Sequence, residues 1–204
     1  IIKKNPKPLI GFSDTTALQL GIFAKTGVVS YSGFTGSDYS QGRLNDLIDT
    51  TLKSCCSQLN YKIDKFKTVN TGVVTAPLIG GNLMSLVNLM GTEFQPDYSG
   101  KILFIEDVSL EPYIIDGMLS QLYVSGILNA IAGIIIGQFI DCEPNKFSKQ
   151  PSLDELIGNW CKKIQVPCVI KFPYGHMDDR CVLPIGAMAT LDATNCTVDI
   201  IFDE

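Results

Sequence analysis

Apolar and polar positions along this chain fall into blocks whose period switches between that of a strand and that of a helix. Residues 8–12 form a short apolar run. Ala17, Leu18, Leu20, Ile22 and Phe23 follow at helical spacing, with the helix beginning at Asp14 or Thr15 and Gly27 placed to end it. Residues 28–42, rich in Gly, Ser and Tyr, read as a surface loop. Helical spacing returns through residues 43–58, and the polar stretch 62–71 reads as a connector. Beyond it, Asn82 is a natural cap for a compact helix over 83–90. KILFIED, residues 101–107, predicts a buried strand ending in two acids, and the longest amphipathic helix is expected over 112–128. Residues 131–139 are apolar on both faces, the pattern of a strand in the middle of a sheet. A helix over 153–164, a strand over 168–172 and a terminal hairpin of 187–191 with 197–202 complete the series.

Strands alternating with helices place the chain in the α/β class. The change of texture at the connector predicts an N-terminal unit over residues 1–65, a linker over 66–76 and a C-terminal unit over 77–204.

Composition narrows the functions open to it. The net charge is −5 and the sixteen basic residues are scattered, so neither nucleic acid nor an anionic membrane surface is an expected partner. No apolar stretch approaches the roughly 18 residues of a membrane span. The seven cysteines are odd in number and lack any CxxC spacing, which argues against a zinc site or a disulfide framework and for reduced thiols in a reducing compartment.

The candidate chemistry centres on three residues. Gly11-Phe12-Ser13-Asp14-Thr15 is close to a nucleophile elbow, with threonine where the last glycine would stand. A tight strand-to-helix corner lifts the Ser13 oxygen clear of the sheet and aims the Asp14 N–H at a developing oxyanion. The competing explanation is that Ser13 or Asp14 merely caps the helix. His176 is the one histidine, so any histidine-dependent mechanism has to use it. Glu106 and Asp107 end a buried strand, where carboxylates are costly unless paired or at a rim, and alternation lets only one of them face a given cleft. Ser13, Glu106 and His176 would supply nucleophile, orienting acid and general base. Three further features read as structural: buried packing for Cys55-Cys56, close packing or a hinge for Gly80-Gly81-Asn82, and a solvated loop for Asp178-Asp179-Arg180.

Four segments together resemble the LD-carboxypeptidases, the serine peptidase group that includes the microcin C self-immunity peptidases. They are PKPLIGFSDTTAL, APLIGGNLMSLVNLMGT, GKILFIEDV followed by PYIID, and FPYGHMDDRCVLPIGAMATLD, in the family's order. The resemblance implies Ser13 as nucleophile, Glu106 as acid and His176 as base, with a murein peptide as the partner. It implies cytoplasmic release of the terminal D-alanine from murein tetrapeptides during cell-wall recycling, without a cofactor, and a homodimer is compatible with it. The implied architecture is an N-terminal α/β domain like that of class I glutamine amidotransferases (flavodoxin-like), followed by a smaller C-terminal α/β domain. Family members carry a long segment before the corner serine, where this chain has twelve residues. The N-terminal domain is therefore expected to be incomplete here. Two alternatives remain, a hydrolase of peptidyl-nucleotide antibiotics and a truncated remnant that binds peptide without cutting it.

Overall fold

The structure is a computed structural model that describes residues 1–144 and 149–202. Among the described residues eleven strands form two sheets. After a 3-10 turn at Ile2–Lys4, β1 (Ile10–Gly11) leads into α1 (Thr15–Thr26), which stops where Gly27 takes the left-handed conformation that frees it from a Cβ clash. The stretch expected to be surface loop is not one. It contains β2 (Ser30–Ser32), buried along its whole length, and the short helix α2 (Gly36–Ser40), started by a capping box between Thr35 and Asp38. Three residues suffice for a strand when both faces are covered, and that length is too short to leave a periodic signal.

Next come α3 (Asp46–Ser57), β3 (Tyr61–Ile63), β4 (Lys67–Asn70) and β5 (Val73–Asn82). The polar stretch read as a connector thus carries two strands. Both lie at the ends of the larger sheet, where one side of the strand has no partner and polar side chains reach solvent. Then follow α4 (Leu83–Val87), β6 (Ile102–Val108), α5 (Pro112–Val124), α6 (Ile127–Ala130) and β7 (Gly133–Ile140). The helix expected over 112–128 is two helices, because Gly126 adopts φ 86° between them. The chain closes with α7 (Leu153–Ile164), β8 (Cys168–Ile170), β9 (Leu183–Ile185), β10 (Met188–Asp192) and β11 (Thr197–Ile201).

The larger sheet runs β3-β11-β10-β5-β6-β7-β8-β4. Its centre, β5 to β8, is parallel, and the flanking strands are antiparallel. The central strand β6 is buried from Ile102 through Asp107, as expected of a parallel strand covered on both faces. The smaller sheet is β1-β2-β9, with β1 and β2 parallel and β9 antiparallel to β2. The main hydrophobic core runs from Phe12 and Leu20 through Phe104 and Ile135 to Trp160 and Ile185, and a second, small cluster of Tyr31, Cys55 and Val182 packs against the small sheet. Among the described residues no helix is long and apolar enough to cross a membrane.

Candidate active site

At the end of β1 the backbone has to turn sharply into α1, and the turn is concentrated at Ser13, whose φ is 61°. That is the left-handed region, which costs a side-chain-bearing residue energy and persists only where the surroundings enforce it. Gly11 permits the corner, since a Cβ there would lie 2.3 Å from the Thr15 hydroxyl oxygen. The Thr15 hydroxyl and N–H both donate to the Phe12 carbonyl and lock the turn. Neither candidate cap acts as one. Asp14 occupies the N-cap position without a side-chain bond to the helix, and Ser13 Oγ points to a ring nitrogen instead.

That ring is His176. Its Nε2 lies 3.0 Å from Ser13 Oγ, and its Nδ1 lies 2.7 Å from Glu106 Oε2. The structure brings all three predicted side chains together across 163 positions of chain, the serine from the corner after β1, the carboxylate from β6 and the imidazole from the loop after β8. The Asp14 N–H, expected as an oxyanion donor, sits at the start of α1 and donates to no acceptor among the described residues.

Glu106 and Asp107 are both buried, so neither is a rim residue. The register of β6 against β7 shifts between Ile105 and Asp107. Glu106 turns toward His176. Asp107 turns toward α4, where it accepts the Met84 N–H at 2.9 Å and the Asn82 side-chain amide at 2.9 Å. Burial pushes the Glu106 carboxyl up from its ordinary value, the His176 hydrogen bond opposes that rise and the Asp107 charge adds to it. Asn82 both caps α4 through Ser85 N and reaches toward Glu106 at 3.4 Å.

The imidazole is framed by aromatic rings. Phe12 lies 4.6 Å from it, centroid to centroid, and Tyr174 meets Phe12 and Phe104 edge-on. The Tyr174 hydroxyl, wholly buried, shares a 2.8 Å hydrogen bond with Ser32 of β2. Gly137 and Gly175 allow the backbones of β7 and the histidine loop to touch. A Cβ at Gly137 would lie 2.3 Å from the Tyr174 carbonyl oxygen, and one at Gly175 2.7 Å from that of Gln138. Gly80 is likewise a close-packing residue, 1.8 Å from the Phe104 carbonyl oxygen by the same measure. Buried packing holds for Cys55 but not for Cys56, which is exposed because adjacent positions on one helix point in different directions.

One pair escaped the sequence reading. Asp178-Asp179-Arg180 is a solvated loop only in its first two residues. Arg180 is buried and paired at 2.6 Å with Asp38, which has no exposed surface. Asp38 lay hidden in the supposed loop, although Thr35-x-x-Asp38 is a capping-box signature. Arg43, Asp38 and Arg180 line the same cleft as Phe12, Ser13 and His176. Among the described residues no group of three or more metal-ligating side chains converges.

A serine, an imidazole and a buried carboxylate thus stand in relay between the small sheet and the large one. Residues 75–191 match the LD-carboxypeptidase C-terminal domain and residues 1–33 the LD-carboxypeptidase N-terminal domain, so the chain belongs to the LD-carboxypeptidase family. It is 33% identical to the probable murein peptide carboxypeptidase of Bacillus subtilis, over 98% of this chain and 64% of that protein. It is 29% identical to the microcin C7 self-immunity protein MccF of Escherichia coli, over 96% of this chain and 67% of that protein. Among solved structures, the muramoyltetrapeptide carboxypeptidase from Oxalobacter formigenes superposes with a TM-score of 0.89 at 29% identity, over 98% of this chain and 70% of that one. The chain thus spans about two thirds of the length of the relatives it matches.

Proposed function

We propose that the protein is a serine carboxypeptidase that releases the terminal D-alanine from murein tetrapeptides. The observation that carries this reading is the relay of 3.0 Å and 2.7 Å from Ser13 through His176 to Glu106. His176 Nε2 takes the Ser13 proton as Oγ attacks the scissile carbonyl, and Nδ1–H remains hydrogen-bonded to the Glu106 carboxylate, which stabilises the imidazolium. The Asp14 N–H stabilises the oxyanion of the tetrahedral intermediate. His176 then passes its proton to the departing amine of D-alanine, leaving an acyl-enzyme on Ser13. Water, deprotonated by the same imidazole, releases the tripeptide and restores the hydroxyl. The murein substrate is supported by the names of the relatives from Bacillus subtilis and Oxalobacter formigenes.

Replacing Ser13 with Ala in the full-length protein should lower D-alanine release at least about 10³-fold. Wild-type protein should be labelled at Ser13 by a serine-reactive phosphonate. Undiminished turnover by Ser13→Ala would refute the assignment. The likeness to MccF supports a second reading, hydrolysis of a peptidyl nucleotide. A panel pairing a murein tetrapeptide with aspartyl sulfamoyl adenosine decides between the two by which one is cleaved.

A further inference from the structure

The cleft that holds Ser13 also holds a charged cluster that the relay does not use. Asp38 accepts the Thr35 N–H at 2.8 Å and the Thr35 hydroxyl at 2.9 Å on Oδ2, and the Arg180 and Arg43 guanidinium groups at 2.6 Å and 3.1 Å on Oδ1. Two cations share one buried carboxylate, which leaves one positive charge in excess within the cluster. Arg180 is fully engaged. Its Nε donates to the Gly33 carbonyl, its Nη1 to the Met177 carbonyl and its Nη2 to Asp38, and it stacks 4.6 Å from the Phe12 ring. Arg43 is held only by Nε on Asp38 and by a 3.4 Å contact from Nη2 to the Ser37 hydroxyl. Its side chain is 38% exposed, and its Nη1 has no partner among the described residues. Asp178 lines the same cleft but is exposed and forms no ion pair among the described residues.

We propose that Arg43 receives the free C-terminal carboxylate of the substrate and so restricts the site to peptides that end one residue beyond the scissile bond. This inference rests on the carboxypeptidase reading above. A guanidinium with an open edge matches a carboxylate in shape and charge, which a lysine does not. A one-residue leaving group keeps its carboxylate within about 4 Å of the preceding residue, so the receptor has to share the cleft with Ser13, as Arg43 does. Asp38 fixes the guanidinium before substrate arrives, so little orientation is left to be lost on binding.

The test compares kcat/KM on a murein tetrapeptide with that on the same peptide ending in a C-terminal amide, for wild type, Arg43→Gln and Arg43→Lys, with thermal melts alongside. Wild type should favour the free acid about a hundredfold. Arg43→Gln should lose about a hundredfold on the acid, mainly through KM, and almost nothing on the amide. Arg43→Lys should recover part of the loss. Equal rates of wild type on acid and amide, or an Arg43→Gln that keeps the preference, would overturn the inference. If Arg43→Gln does not fold, the wild-type ratio and Arg43→Lys decide. A wild type that releases nothing from either peptide overturns the carboxypeptidase reading itself, whereas release without discrimination overturns this inference alone.

Discussion

Glu106 has no exposed surface, and the imidazole of His176 lies 2.7 Å from its carboxyl group. Burial raises its affinity for a proton above the ordinary value of 4.5, and the His176 hydrogen bond acts against that rise. The sign of the linkage follows. Above pH 4.5 the unfolded chain has released this proton while the folded chain still holds part of it, so Glu106 lowers stability as pH rises through the window up to its folded value. Glu106→Gln carries no such proton. The stability of wild type relative to Glu106→Gln, from urea melts at a series of pH values, should therefore decline as pH rises from about 4.5. A difference that is flat with pH would contradict it. The same substitution keeps the shape but removes the charge facing Nδ1–H, so kcat for D-alanine release should fall about 10³-fold. A kcat within tenfold of wild type would move the orienting role to another group.

The elements that carry the site are held in register by glycines at points where two backbones touch. Gly137 is the clearest test, because its φ is not positive and the constraint is purely one of space. Gly137→Ala places a methyl group 2.3 Å from the Tyr174 carbonyl oxygen, which itself accepts the Gln138 N–H at 2.8 Å. Strand β7 and the histidine loop have to separate, and His176 moves with the loop. Stability should drop by about 1–3 kcal/mol, and a displacement approaching 1 Å should cost about a hundredfold in kcat. Unchanged kinetics in a folded variant would show that the loop is positioned elsewhere.

The same elements explain what could be read in advance. Helices α1, α3 and α7 carry enough turns for periodicity to fix them, with Gly27 marking the end of α1, and β6 and β7 are long apolar runs. The three residues of the relay were legible because a serine corner, a lone histidine and acids ending a buried strand are each chemically unusual. Of the short strands, β1 and β8 lay inside longer apolar runs and were legible, whereas β2, β3, β4 and β9 were not. β2 and β3 have three residues each, β4 is a polar edge, and only pairing with distant partners makes any of them a strand. Asp38 was missed because the capping-box signature it forms with Thr35 marks only a helix start, whereas its ion pair is with Arg180, 142 positions away.

At the scale of the whole molecule, the question is whether the Ser13 side and the His176 side are separable bodies. The hydrogen-bond pattern predicts that they are not. β9, from late in the chain, completes the small sheet by pairing with β2, while β3, from early in the chain, pairs with β11 at the edge of the large sheet. Each sheet therefore borrows a strand from the other half of the sequence. The Ser32–Tyr174 hydrogen bond at 2.8 Å and the bond from Asn82 N–H to the Thr16 hydroxyl at 3.0 Å cross the same boundary in buried surroundings, where a lost partner costs about 1–3 kcal/mol. Removing residues 183–185 would leave the small sheet with two paired residues on each of its remaining strands, too few to stand alone. The full-length protein should accordingly unfold in urea as one transition, with far-UV circular dichroism, Trp160 fluorescence and phosphonate labelling of Ser13 sharing a midpoint. If labelling were lost well before the circular dichroism signal, the two sides would be docking as independent units, and the relay would depend on an interface that can open without unfolding. A shared midpoint means instead that the distance from Ser13 to His176 is set by the same cooperative core that sets the fold, so that core substitutions far from the cleft reduce turnover only through the fraction of chains folded.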